Sequence, residues 1–173
     1  NILWFCQVPD TKYSMCHFRL KKFPFQQDEN TVPDWKESFK NFPIYKELFE
    51  NIDGIKLQEN PSSDYDSNYW LNTITIEPWV KIKHNETHAA YTLATDCQPN
   101  NNVEAMRMAL DKAGIEARPL WKPMHKQPVY KNNPAYVNGV SEDLFKKGLC
   151  LPSGPCVSDE DVKYIVKCIV DSL

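Results

Sequence analysis

Between Gly114 and Pro128 the chain reads Gly-Ile-Glu-Ala-Arg-Pro-Leu-Trp-Lys-Pro-Met-His-Lys-Gln-Pro, and no regular helix can run through it. Each proline fixes its own φ, removes a backbone donor and pushes the residue before it out of the helical region. Arg118, Lys122 and Gln127 are therefore extended or turn positions. Any fold must pass through this stiff connection, which displays Trp121, Lys122, Met124 and His125. Rigid loops of this kind carry recognition more often than packing.

The 173 residues suit one domain of ordinary size, with room for an appended N-terminal lobe and enough length to bury a core. A hydrophobic fraction of 42% and a charged fraction of 25% are those of a globular chain. A net charge of −3 with interspersed signs offers no field for nucleic acid. No apolar run approaches the roughly 20 residues that span a bilayer, and the opening Asn-Ile-Leu-Trp-Phe-Cys lacks the basic flank of a leader. The expectation is a soluble, cytoplasmic protein with no membrane partner. The six cysteines match neither a zinc pattern nor a dense disulfide framework and are read as buried, reduced thiols. The glycosylation triplet Asn85-Glu86-Thr87 carries little weight without a secretion signal.

Residues 1–33 are the least legible part: Ile2–Val8 and Phe18–Phe25 read as two extended segments able to pair as a hairpin. From Asp34 the period changes. Trp35, Phe39, Phe42, Tyr45, Leu48, Phe49 and Ile52 recur at helical steps; Pro33-Asp34 suits the start and Asp53-Gly54 the end, while Pro43 kinks or splits the helix. Ile55–Leu57 is a short strand, and Trp70–Ile76 alternates like a half-buried central strand until Pro78. Trp79–Ile82 reads as an edge strand and Ala89–Ala94 as either strand or helix. Asn101 or Asn102 caps a helix over Val103–Ala113 that Gly114 closes.

Beyond the Pro-rich segment, Val129–Asn138 is irregular. Ser141 opens a short helix ending at Gly148, and Leu149–Leu151 is a strand stopped by Pro152. Ser158 and Asp161 make a capping box for a last helix, with Val162, Ile165, Val166, Ile169 and Val170 as its buried stripe. Helices and strands joined in this order predict an α/β fold, a two-layer α/β sandwich.

The chain contains no Gly-rich phosphate loop, nucleophile elbow or paired-cysteine motif. His84 and His88 would share a helical face, but without a third ligand they do not make a metal site. His125 is the best-placed titratable group, either a pocket residue moving a proton near neutral pH or a loop histidine bonded to backbone carbonyls. Arg118 and Lys122 suit phosphate or carboxylate groups, though solvated cations are common. Trp121 stacks on a sugar or base face, or else packs beside proline. The turn Leu151-Pro152-Ser153-Gly154-Pro155 reads as a strand-to-helix connection.

The Gly114–Pro128 segment, followed by Ser141-Glu142-Asp143-Leu144-Phe145 and Gly148-Leu149-Cys150-Leu151-Pro152-Ser153-Gly154, resembles the C-terminal part of the DegT/DnrJ/EryC1/StrS family. Those proteins are pyridoxal-phosphate-dependent aminotransferases acting on nucleotide-linked keto-sugars. The resemblance runs from about Ile44 to the end, through Tyr45-Lys46-Glu47-Leu48-Phe49, Gly54-Ile55 and Asn68-Tyr69-Trp70-Leu71. It implies that 34–173 is the small C-terminal domain of an aspartate-aminotransferase-like fold, with 1–33 a separate extended segment. It also implies amino-sugar biosynthesis for polysaccharide or lipopolysaccharide.

In the family, the Schiff-base lysine and the main cofactor contacts come from a large N-terminal domain, so Lys122 and Lys126 are not assigned that role. The resemblance implies pocket residues His125, Trp121, Lys122 and Arg118, no catalytic group of the chain's own, and pyridoxal phosphate in a full-length parent rather than on this chain alone. Its expected partners are a nucleotide-linked sugar and a missing or separately encoded large domain, with homodimerisation open because bare apolar patches seldom persist. Transamination needs an amine nucleophile, an electron sink and a phosphate clamp, so the isolated chain is expected to be inactive. The alternative is a stand-alone, non-catalytic module that binds a nucleotide sugar or a protein partner.

Overall fold

The computed structural model describes residues 40–65, 67, 69–83 and 97–173. The extended segments of 1–33, the helix start with Trp35 and Phe39, and the stretch holding His84, the Asn85 triplet, His88 and Ala89–Ala94 lie outside the described residues.

The elements run α1 (Asn41–Phe49), β1 (Ile55–Leu57), β2 (Asn72–Ile76), α2 (Asn101–Lys112), β3 (Arg118–Pro119), two 3-10 turns (Met124–Lys126 and Pro128–Tyr130), α3 (Val140–Lys147), β4 (Gly148–Leu151) and α4 (Asp159–Asp171). The strands form one antiparallel sheet in the order β1-β2-β4-β3. Its register sorts the side chains by face. Ile55 and Leu57 oppose Ile76 and Ile74, and Ile74 and Asn72 oppose Leu149 and Leu151. The apolar members of this row share one core with Tyr45 and Phe49 of α1, Val103, Met106 and Leu110 of α2, and Val162, Ile165 and Ile169 of α4. Helices α1, α2 and α4 thus form the second layer of an α/β sandwich.

The opposite row, Lys56, Thr73, Thr75, Gly148, Cys150 and Arg118, is small or polar. It is crowded at one end: a Cβ on Gly148 would sit 2.1 Å from Leu120 Cδ1 and 2.6 Å from the Leu144 carbonyl. Gly148 therefore lets α3 and the Pro-rich segment close over the start of β4.

Polar wiring fixes the turn that follows β4. Buried Asn41 donates from Nδ2 to the Val157 carbonyl at 2.8 Å and accepts from the Gly154 amide at 3.1 Å. The Tyr45 hydroxyl donates to the Pro152 carbonyl at 3.0 Å, and burial pushes that phenol well above its ordinary pKa. Ser153 Oγ accepts from the Asn72 amide and side chain and donates to the Leu151 carbonyl. These bonds satisfy groups that burial would otherwise strand.

Several boundaries depart from the sequence expectations. Pro43 lies in the first turn of α1, where its missing donor has no helical partner anyway; the earlier part of the helical pattern, 34–39, lies outside the described residues. Gly54, at φ +77°, turns the chain into β1 rather than capping α1, which ends at Phe49. Trp79–Ile82 is not a strand; Val80 and Ile82 pack into the core from a turn, and the Lys83 amide donates to the Ser172 carbonyl. Gly139, not Ser141, precedes α3, with φ +84° and no side-chain cap.

Asn100, at the N-cap of α2, makes no side-chain capping bond. Asn102 Oδ1 accepts from the Val103 amide in the first turn at 3.0 Å, as the sequence expects of a capping asparagine, while its Nδ2 donates to the Glu77 carbonyl at 2.7 Å and ties the helix start to the end of β2. Gly114 closes α2 at φ +79°, with the Ile115 amide reaching back to the Leu110 carbonyl at 2.8 Å. The α4 capping box forms as read, but Val170 is exposed because it falls beyond the stripe of Val162, Ile165, Val166 and Ile169. Cys97 and Cys150 are buried thiols, whereas Cys156 is exposed in the turn before α4 and Cys168 half-buried.

Candidate functional site

The prolines act as the sequence demands: past β3 the chain makes two tight 3-10 turns. The Lys126 amide donates to the Pro123 carbonyl at 2.9 Å, and the Gln127 side chain donates to the Lys122 carbonyl at 3.1 Å. The loop therefore holds its own shape, and His125 projects from its first turn.

His125 meets α3. Its Nε2 lies 2.9 Å from Glu142 Oε1, and the Lys126 ammonium lies 3.4 Å from Glu142 Oε2. One carboxylate thus holds two consecutive loop residues, all three being half-buried. Glu142 sits in the first turn of α3, where the helix dipole favours negative charge. The hydrogen bond from His125, reinforced by the Lys126 charge, holds its carboxyl below the usual carboxylate range against the opposing effect of desolvation.

Lys122 also turns to α3, its ammonium 5.9 Å from the centre of the buried Phe145 ring, at the outer limit of a cation–π contact. Trp121 is paired instead with Trp70, ring centres 6.2 Å apart and planes 29° from parallel, both rings about half exposed. Trp70 reaches that position because Tyr69, at φ +40° and stacked on Phe42, turns the chain just before β2. Sequence alternation had placed Trp70 within the strand.

Arg118 is on the outer row of the sheet and bonds Glu116 Oε1 through Nε at 2.9 Å. It faces Cys150, whose thiol burial pushes up to about 12 despite that guanidinium. The structure therefore joins His125 to Glu142 and Lys126, Trp121 to Trp70, and Lys122 to Phe145, while Arg118 turns toward Glu116. Glu142, Lys126 and Trp70 were not singled out as site residues in the sequence. Glu142 lies 17 residues from His125, and no local spacing signals such a pair.

A pyridoxal phosphate site needs a lysine amine made nucleophilic by burial or a neighbouring cation. No lysine among the described residues is buried. Lys46 and Lys147 are held by carboxylates that raise their pKa, the reverse of activation. The described residues do not make a complete cofactor site. Among them, no group of acids, histidines and cysteines could hold a metal ion, and no helix is long and apolar enough to cross a membrane.

A family model, the DegT/DnrJ/EryC1/StrS aminotransferase family, matches residues 35–170. The chain is 29% identical over 133 residues to the putative pyridoxal phosphate-dependent aminotransferase EpsN of Bacillus subtilis, covering 75% of this chain and 29% of that one. It is 28% identical over 126 residues to the GDP-perosamine synthase of Escherichia coli O157:H7, covering 73% and 28%. In fold it is similar to the sugar aminotransferase CalS13 of Micromonospora echinospora, with a TM-score of 0.59 at 14% identity over 80% of this chain and 31% of that one. The chain thus spans less than a third of the length of these relatives. With the match running from before α1 into the last turn of α4, the chain belongs to the DegT/DnrJ/EryC1/StrS aminotransferase family.

Proposed function

We propose that residues 34–173 are the C-terminal small domain of a pyridoxal-phosphate-dependent aminotransferase acting on nucleotide-linked keto-sugars, serving amino-sugar formation for polysaccharide or lipopolysaccharide. The observation that carries this reading is the placement of His125, Lys126 and Lys122 against α3, inside the stretch matched by the family model. The name of the Escherichia coli relative, a GDP-perosamine synthase, supports the substrate class.

In this reading the Pro-rich segment and α3 form one wall of a pocket. Lys122 and Lys126 supply positive charge for a diphosphate, His125 hydrogen-bonds the sugar or phosphate, and Trp121 offers an aromatic face. Arg118 contributes charge from the edge strand. A large domain outside this chain supplies the amine nucleophile and the cofactor's main contacts, and the chain by itself transfers no amino group. The protein works in the cytoplasm, where nucleotide sugars are made.

The test is a titration of the 173-residue chain with a nucleotide-linked hexose, followed by amide chemical shifts. Perturbations centred on 118–126 and Glu142, and abolished in the Lys122→Ala variant, are expected. Perturbations centred on β1 or the α4 surface, or none at saturating ligand, contradict the assignment.

A further inference from the structure

The Glu142 carboxylate bears on more than the stability of the loop. Held in its charged form by His125 and Lys126, it can only accept hydrogen bonds, so the proton in the 2.9 Å contact belongs to His125 Nε2. A neutral His125 is then committed to the Nε2–H tautomer, and Nδ1 is left as an acceptor; when the ring is protonated, Nδ1–H becomes a donor. Among the described residues no hydrogen-bond partner is recorded for Nδ1.

We propose that Glu142 is the positioning residue of this site: by gripping His125 at Nε2 and Lys126 at its ammonium, it fixes the ring so that Nδ1 is the atom presented to the ligand. The proposal rests on the reading that His125 lines the pocket, but its geometry does not. The rotamers of the two loop side chains are set from α3, a rigid element, rather than from the loop that bears them. An unattached imidazole at this exposure would sample several rotamers and both tautomers. A ligand would then lose affinity in proportion to the fraction of rings wrongly turned.

The chemistry this assigns is definite. In its neutral state His125 accepts a hydrogen bond, for which a sugar hydroxyl is the fitting donor; in its charged state it donates to an anionic oxygen, with Lys126 beside it. Either way Glu142 acts through His125 and Lys126, its polar partners among the described residues.

The experiment is ring 15N–1H correlation spectroscopy of His125 in the full chain, with Glu142→Ala and Glu142→Gln. At alkaline pH the unmodified chain is expected to show the Nε2–H tautomer with an observable, slowly exchanging Nε2 proton. Glu142→Ala should lose that protected proton while its circular dichroism remains that of the folded parent. Glu142→Gln, which keeps an acceptor oxygen, should retain it. With a nucleotide-linked hexose, Glu142→Ala should bind roughly tenfold more weakly, the worth of one charge-assisted hydrogen bond.

An Nδ1–H tautomer in the unmodified chain overturns the proposal without any variant, as does a protected Nε2 proton that persists in Glu142→Ala. If the ring behaves as stated but no nucleotide sugar perturbs it, the positioning role stands and the functional reading fails.

Discussion

At the scale of single residues, Glu142 titrates differently from an ordinary glutamate, and the sign of the effect follows from its cause. A depressed carboxyl pKa means that the folded chain binds this proton less tightly than the unfolded chain does. The stability so gained is fully present above the unfolded value of about 4.3 and fades as pH falls through the lower folded value. The carboxyl carbon of Glu142 should therefore titrate below the usual range. It should move up in His125→Ala, where the main hydrogen bond is lost, and less in Lys126→Ala; an unchanged midpoint in both would refute the cluster. His125 stands out in the sequence as a titratable ring on a stiff Pro-rich segment, with a pocket role and a plain loop role both open there. Its partner does not, because a contact spanning 17 residues is decided by how α3 packs.

At the scale of elements, the helix ends and the turn after β4 differ in how they are secured. The Ser158–Asp161 box is local and exposed, so Ser158→Ala should cost about 1 kcal/mol. Asn41 holds two backbone groups of a distant, buried turn. Asn41→Ala should then cost more, about 2–4 kcal/mol, by stranding the Gly154 amide and the Val157 carbonyl. Chemical denaturation of the two variants checks the order, and equal losses would mean that the turn is not held by Asn41. The same contrast explains what was legible. The capping box, the Gly114 stop and the stripe of α4, Val170 excepted, are local patterns and read correctly. Gly54 and Trp79–Ile82 depart from their local reading because each serves a neighbour far along the chain: Gly54 makes room for Val80 and Trp79, and Val80 and Ile82 fill the core outside any strand. Tertiary packing overrode local preference at both.

At the scale of the whole molecule, an antiparallel four-stranded sheet has helices α1, α2 and α4 on one face and, on the other, a polar row crossed by the Pro-rich segment and α3. The two-layer order was legible from periodicity, whereas the strand order β1-β2-β4-β3 was not, because β3 is only two residues long and carries a proline. The central claim concerns what this body lacks. Its described lysines are exposed or half-buried, and the pKa of Lys46 and Lys147 is raised by paired carboxylates; under the proposed function the reactive amine belongs to a large domain outside this chain. The direct measurement is to incubate the purified 173-residue chain with pyridoxal phosphate, an amino-acid donor and a nucleotide-linked keto-sugar. Product is then assayed, and borohydride-fixed cofactor is located by peptide mapping. The account predicts no amino sugar and no single lysine modified at unit stoichiometry; turnover accompanied by stoichiometric labelling of one lysine of this chain would contradict it.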